Sequence, residues 1–134
     1  ANSLSEVIDG PTLQRYQSLV ERVPVPDYVY DGVVDMVRMT RPKSDDAPEW
    51  VNKWVTWGSG PRAIQYLVRG AKAHAVLKGR YIVGWEDVEA VAKPVLTHRI
   101  LTNFQAQSEG VDSLFVIEKL LENIRDREAE LANQ

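Results

Sequence analysis

The sequence contains no cysteine and only two histidines, His74 and His98. Without cysteine the chain can form no disulfide, no thiolate nucleophile and no cysteine-based zinc site. The two histidines do not stand at a spacing typical of metal ligands. A disulfide-stabilised fold, a cysteine enzyme and a metal centre are therefore not predicted.

Long apolar runs and an excess of positive charge are also missing. No run approaches the roughly 20 apolar residues that span a bilayer, and no secretory signal peptide is visible. The net charge is −3 and the pI is about 5.4, which argues against a general nucleic-acid-binding protein. We expect a cytoplasmic protein without a membrane or nucleic-acid partner. Because the sequence starts at Ala1 rather than at methionine, we also expect a piece of a longer protein.

Common catalytic motifs are absent as well. The sequence has no GxxxxGK[ST] phosphate loop, no GxSxG nucleophile elbow and no HExxH zinc motif. A chain without a phosphate loop cannot hold the phosphates of a nucleotide by itself. The sequence therefore predicts no self-sufficient enzyme.

Apolar residues recur at helical spacing through most of the sequence. A length of 134 residues corresponds to about one domain. The pattern predicts an all-α fold, one compact bundle of five or six helices across residues 1–134. The longest apolar face belongs to a central helix over residues 61–78, which Gly79 would end. The predicted helices start close to Pro11, Pro26, Asp46, Pro61, Gly84 and Asp112.

Two short segments between the predicted helices are not helical in pattern. Residues 81–83 and residues 100–102 are extended apolar runs, and we expect them to pair as a minimal two-stranded ribbon. Residues 105–110 are predicted to form a polar loop. The fold class therefore stays all-α, with one small ribbon packed on the helices.

Tryptophan is concentrated just before the central helix. Asp46 is predicted to cap a short helix that places Trp50 and Trp54 on one face, four residues apart. Trp57 follows three residues later. We expect the three rings to form a small aromatic core that holds Gly58 in place.

The central helix is preceded by Gly58, Ser59 and Gly60, and it opens with Pro61 and Arg62. Proline fits a helix start because its missing N–H costs nothing there. A cation in the first turn is unfavourable by roughly 0.3–1 kcal/mol, because it lies at the positive end of the helix dipole. Either Arg62 pairs with a nearby carboxylate, or an anion is brought to it from elsewhere.

Several motifs, taken together, resemble the C-terminal lid domain of MoxR-type AAA+ ATPases. They have the order and spacing of that lid, and they cover most of the chain. The motifs are Thr40-Arg41, Trp57-Gly58-Ser59-Gly60-Pro61-Arg62-Ala63, Ala71-Lys72-Ala73, Gly79-Arg80-Tyr81, Glu86-Asp87-Val88, His98-Arg99-Ile100 and Glu109-Gly110-Val111.

The resemblance implies a role in ATP hydrolysis that this chain cannot perform alone. In that family an ATP-binding core precedes the lid and holds ATP and Mg²⁺. Arg62 would be the sensor-2 arginine that reaches the γ-phosphate, and Gly58, Ser59, Gly60 and Pro61 would form the hinge-like segment before it. The chain by itself would bind no cofactor and contain no complete catalytic site.

The resemblance also implies partners. They are the AAA+ core of the same polypeptide, neighbouring subunits of a ring, and proteins with von Willebrand factor A domains. The parent protein would couple ATP hydrolysis to chaperone-like maturation of other proteins. Two alternatives remain, a purely structural interaction domain with Arg62 in an internal salt bridge, and a helical nucleic-acid-binding module based on Arg62, Arg69, Lys72, Lys78 and Arg80.

Three residues have no chemistry assigned from their motifs. His74 lies at the edge of the apolar face of the central helix, where a hydrogen-bonded structural histidine is expected. Arg99 is interpreted as structural, satisfying carbonyl groups at a helix end. His98 is interpreted as structural together with Arg99, without a partner assigned to it.

Overall fold

A computed structural model gives the fold, and it describes the backbone of residues 10–132 and the side chains of residues 10–126. The ends of the predicted 1–134 domain lie outside this range. Seven helices and two short strands make up the described part, which confirms the all-α prediction and adds one helix to the expected five or six. Their order is α1 (Gly10–Arg22), α2 (Asp27–Met39), α3 (Glu49–Trp54), β1 (Val55–Trp57), α4 (Arg62–Leu77), α5 (Trp85–Leu96), β2 (Leu101–Thr102), α6 (Phe104–Ser108) and α7 (Ser113–Ala132).

Helix α4 is the centre of the bundle. It packs mainly against α5 and also contacts α1 and α2. Its buried residues are Ala63, Leu67, Ala71 and Ala75, and the alanines allow neighbouring backbones to approach closely. Pro61 is its N-cap residue and Lys78 is its C-cap residue, so the predicted bounds of 61–78 are confirmed.

The turn after α4 is held by a buried carboxylate. Gly79 has φ +74°, the left-handed conformation that commonly ends a helix. The fully buried Asp87 accepts hydrogen bonds from Arg80 Nη2 at 2.6 Å and from the Gly84 amide at 2.8 Å. His74 Nδ1 lies 2.6 Å from the same carboxylate. The expected structural role of His74 is therefore confirmed, and Asp87 connects α4, the turn and α5.

The two-stranded ribbon exists, but one of its predicted strands was wrong. Strand β2 pairs antiparallel with β1, and Val55 faces Thr102 while Trp57 faces Leu101. Residues 81–83 form no strand; instead the Val83 amide donates to the Pro24 carbonyl at 3.1 Å and the Val83 side chain is buried. A short apolar run does not reveal which distant segment it meets, because its neighbours are set by the packing of the helices.

Two local predictions also need correction. Residues 105–110 are not simply a loop, because α6 covers most of them and Asn103 Oδ1 caps it by accepting from the Ala106 amide at 2.9 Å. Asp46 does not cap α3, since Pro48 occupies the N-cap position and no side chain caps that helix. A polar N-cap signal was present at Asn103 and was overlooked.

Only two of the three clustered tryptophans pack together. The rings of Trp50 and Trp54 are 6.2 Å apart between centroids, and Phe115 of α7 meets the Trp54 ring edge-on at 5.9 Å. Trp57 is mostly exposed, so the prediction that it joins this cluster was wrong. The register of the two strands is irregular between Val55 and Trp57, so the two side chains do not share a face: Val55 is buried and Trp57 is exposed.

An ion pair joins α5 to α7. Arg125 donates from Nε and Nη2 to the two carboxylate oxygens of Glu89 at 2.7 and 2.8 Å, and Trp85 Nε1 donates to the same carboxylate at 3.1 Å. The hydrogen bonds from Arg125 are the main reason that the pKa of Glu89 lies below its ordinary value of 4.5. The pair therefore stabilises the fold above that ordinary pKa and loses this contribution as the pH falls through the lowered one.

We expect Glu89→Gln to lower the free energy of unfolding by up to about 1 kcal/mol near neutral pH and by much less in acid below the lowered pKa. Urea denaturation of both proteins at the two pH values measures the difference. Glu118→Gln is the control, because its pair with Lys93 is about half exposed on both sides. An equal effect of Glu89→Gln at both pH values would contradict the assignment.

No helix in the described part of the chain combines the length and the apolar character needed to cross a membrane.

Candidate functional site

The segment between β1 and α4 is anchored by a threonine at the end of α2. Thr40 is fully buried, and its Oγ1 donates to the Val37 carbonyl at 2.6 Å. The amide of the buried Ser59 donates to the same oxygen at 3.0 Å, and the two hydroxyl oxygens are 2.8 Å apart. Because the only hydroxyl hydrogen of Thr40 is directed at Val37, the Ser59 hydroxyl must be the donor in the second bond. Thr40 Oγ1 thus has both its lone pairs and its hydrogen in use.

Removing this oxygen should destabilise the chain more than removing its partner. Thr40→Val leaves two buried donors of Ser59 without an acceptor, which we expect to cost about 2 kcal/mol. Ser59→Ala keeps two hydrogen bonds, the one from the Thr40 hydroxyl to the Val37 carbonyl and the one from the residue 59 amide to Thr40 Oγ1. It should cost about 1 kcal/mol. The double variant should cost less than the sum of the two, as measured by urea denaturation. Additive effects would contradict the shared hydrogen bonds.

The two glycines of the segment have different surroundings. A Cβ atom on Gly58 would lie 2.2 Å from the Thr40 carbonyl oxygen and 2.7 Å from the Cα of Arg41. A Cβ atom on Gly60 would have no neighbouring atom within 4 Å. Close backbone packing therefore requires glycine at position 58, and no such requirement applies at position 60.

Pro61 then sets the direction of α4. Its φ of −59° and ψ of −28° are already helical, and the Gly60 carbonyl accepts the Ala63 amide at 3.0 Å. No acidic residue and no side-chain cap occur in the first turn. The chain thus enters α4 from a fixed position, and the amino end of the helix keeps its positive partial charge.

Arg62 is the first residue of α4, and its side chain is exposed. Within the described range it forms no hydrogen bond or ion pair, so the internal salt bridge considered for it finds no support there. Among the described residues, a guanidinium and a helix amino terminus thus lie together without a counter-charge. This arrangement favours an anion, which could accept from both.

A second arginine lies near the same helix. Arg99 places its guanidinium over the ring of Tyr66, 4.5 Å from the centroid, and it donates to the Val95 carbonyl near the end of α5. The expected bond to a helix-end carbonyl is therefore confirmed. The stacking on Tyr66 was missed, because nothing in the local pattern links residues 33 positions apart. His98 is exposed and has no partner among the residues that the structure describes.

The basic residues considered for nucleic-acid binding do not form one free surface. Arg80 is bound to Asp87 and Glu86, and Lys72 donates to the Glu21 carbonyl at 3.3 Å. Arg69 is exposed on α4, and the described residues give it no hydrogen bond or ion pair. Among the described residues no group of three or more His, Cys, Asp or Glu side chains could hold a metal ion.

Comparison with known proteins identifies a family. The protein-family model of the AAA lid domain matches residues 49–120, just over half of the chain. Chaperone MoxR1 of Mycobacterium tuberculosis is 28% identical over 119 residues, which cover 89% of this chain and 32% of that protein. Protein MoxR of Paracoccus denitrificans is 54% identical over 43 residues, 32% of this chain and 13% of that protein.

A solved structure extends the match to three dimensions. The crystal structure of a protein from Cytophaga hutchinsonii, proposed to be an ATPase, superposes with a TM-score of 0.73 at 30% identity. The superposition covers 78% of this chain and 32% of that one. The chain thus spans about a third of the length of MoxR1 and of this structure. It belongs to the AAA lid domain family, and it is a lid of the MoxR type of AAA+ ATPase.

Proposed function

We propose that this chain is the nucleotide-sensing lid of its parent ATPase and that Arg62 is the sensor-2 residue for the γ-phosphate of ATP. The observation that carries the proposal is the exposed guanidinium of Arg62 at a positive helix end, where no residue that the structure describes pairs with it. The buried bonds between Thr40 and Ser59 support it, because they hold the segment before Arg62 in one position.

The proposed chemistry is stabilisation of charge. The core of the parent holds ATP and Mg²⁺, and the nucleotide supplies the phosphoryl group that is transferred. The guanidinium of Arg62 is always protonated and can donate two parallel hydrogen bonds to phosphate oxygens. Directed at the γ-phosphate, it would stabilise the charge that develops on the transferring group. The amino end of α4 adds positive potential at the same place.

The proposed signal is movement of the lid as one body. Gly58 and Ser59 are locked against α2, and α4 is locked in the core of the bundle by its buried face. The backbone at Arg62 therefore has little freedom to move alone, and we place the hinge between lid and core rather than within the segment from Gly58 to Pro61. Loss of the γ-phosphate would then release the entire lid.

The proposal for the parent protein and its partners rests on the family resemblance. We propose that the lid works beside the ATP-binding core of the same polypeptide, in a ring of subunits in the cytoplasm. A relative is named a chaperone, and we propose that ATP hydrolysis by the parent supports chaperone-like maturation of other proteins. Proteins with von Willebrand factor A domains are the partners that the family resemblance favours.

In this proposal ATP hydrolysis requires the catalytic core of the parent protein, and the isolated chain has no ATPase activity of its own. We expect the 134-residue chain to release no phosphate from ATP in the presence of Mg²⁺, because it has no phosphate loop. The parent protein, assayed in parallel, should hydrolyse ATP. Phosphate release by the chain alone, at a rate comparable with that of the parent, would contradict the claim that hydrolysis requires the core. ATP turnover by the parent with Arg62→Ala tests the assigned residue.

A further inference from the structure

The guanidinium of Arg99 is held in place by two contacts. It lies over the ring of Tyr66, 4.5 Å from the centroid, and its Nη1 donates to the Val95 carbonyl. A guanidinium that stacks on a ring uses its face, so the N–H groups at its edge stay available as donors. Within the described range only Val95 accepts from them, and the side chain is exposed. Arg99 is therefore a positioned cation with donors to spare.

Tyr66 places this cation beside the first turn of α4. Tyr66 follows Arg62 by four residues, so the two side chains are neighbours on one face of the helix. A long side chain in a helix leans towards the amino end, and the Tyr66 ring therefore covers the turn that Arg62 begins. Arg62 and Arg99 thus lie on the same side of α4, although they come from different parts of the chain.

The two arginines have no counter-charge in the part of the chain that the structure describes. No described carboxylate forms an ion pair with either of them, whereas Arg80 and Arg125 each bind one. Like charges repel at short range, and an anion between them would be attracted by both. The arginine fork matches phosphate oxygens, and a chain of phosphate groups offers enough oxygens for two forks. The pair therefore fits a ligand with several adjacent phosphate groups.

From the proposed function, on which this step rests, we infer that Arg99 is a second phosphate-binding residue of the same nucleotide site. Arg62 donates to the γ-phosphate, and Arg99 donates from its free edge to another oxygen of the same phosphate chain. Tyr66 is a positioning residue, because it acts through the guanidinium that it supports. The lid then holds ATP from two elements, the start of α4 and the segment after α5.

Chemical modification of arginine in the intact parent protein tests the inference without any substitution. Phenylglyoxal reacts with accessible guanidinium groups, and mass spectrometry gives the rate at each arginine. With Mg²⁺ and the non-hydrolysable imido analogue of ATP at ten times its Kd, about nine tenths of the sites are occupied. Modification of Arg62 and of Arg99 should then slow by about tenfold. Arg69, exposed two turns along α4, is the internal reference and should keep its rate.

The outcomes separate the inference from the proposed function. Protection of both arginines by the analogue supports the inference. Protection of Arg62 alone would overturn it and leave the proposed function standing, and protection of neither would overturn both. Protection of Arg99 alone would refute the assignment of Arg62 and keep the phosphate contact of Arg99. Slow modification of Arg99 before the analogue is added would assign it to a carboxylate of the parent and overturn the inference.

Steady-state kinetics of the parent protein give a second measurement. Arg99→Gln keeps an N–H donor and removes the positive charge, so kcat/KM for ATP should fall by about tenfold or more, the size of a lost hydrogen bond between charged groups. Tyr66→Phe is the matched control, because it keeps an aromatic ring under the guanidinium, and it should change kcat/KM by no more than about twofold. An unchanged kcat/KM with Arg99→Gln would overturn the inference.

Discussion

Gly58→Ala should destabilise the chain by about 3–5 kcal/mol, which places it among the largest effects of single substitutions. The added methyl group would lie 2.2 Å from the Thr40 carbonyl oxygen and 2.5 Å from its carbon. Both atoms are backbone, so the clash cannot be relieved by turning a side chain. The end of α2 or the segment before α4 would have to move, and the buried bonds between Thr40 and Ser59 would be lost with it.

Gly60→Ala is the matched control, two residues further along the same segment. A methyl group there meets no atom within 4 Å, and the backbone is not in the left-handed region. We expect a change in the free energy of unfolding within about 0.5 kcal/mol of zero. Urea denaturation of both variants measures the contrast. Similar values for the two would mean that Gly58 is not packed against Thr40.

The anchor at Thr40 illustrates what sequence reasoning could not reach. Residues 40 and 59 are joined by hydrogen bonds, yet nothing in either local pattern points to the other. The same holds for the pairing of β1 with β2, where the wrong segment was chosen for one strand. Contacts between distant segments depend on how the helices pack, and a single sequence does not report that packing.

Local signals were more successful. The bounds of α4 followed from Pro61 at its start and Gly79 after its end, because both residues act through the backbone of their own turn. The unusual position of Arg62 was also visible from the sequence, since a cation in a first turn lacks a local reason. The exposure of Trp57 could not be predicted from the sequence, because an apolar residue looks the same in a sequence whether it lies at the surface or in the core.

The second large effect concerns catalysis by the parent ATPase. We expect Arg62→Ala to lower the rate of ATP turnover by about 100-fold or more, the size typical for loss of a group that stabilises a transition state. The folded lid should be unaffected, because the side chain of Arg62 is exposed and has no partner among the described residues. Removing it therefore breaks no hydrogen bond or ion pair among the residues that the structure describes.

Two further substitutions separate charge, geometry and position. Arg62→Lys keeps the positive charge but cannot donate two parallel hydrogen bonds, so turnover should fall to a level between the wild type and Arg62→Ala. Arg69→Ala removes another exposed arginine, two turns along the same helix. It should change turnover by no more than about twofold, because the helix rise places it about 10 Å further from the phosphate.

The most direct test of the account is ATP turnover by the intact parent protein with Arg62→Ala, measured beside Arg69→Ala under saturating ATP. Thermal unfolding of both variants should match the wild type, which would exclude loss of folding as the cause. The account predicts a loss of turnover in the first variant only. Full turnover with Arg62→Ala, or an equal loss in the two variants, would contradict it.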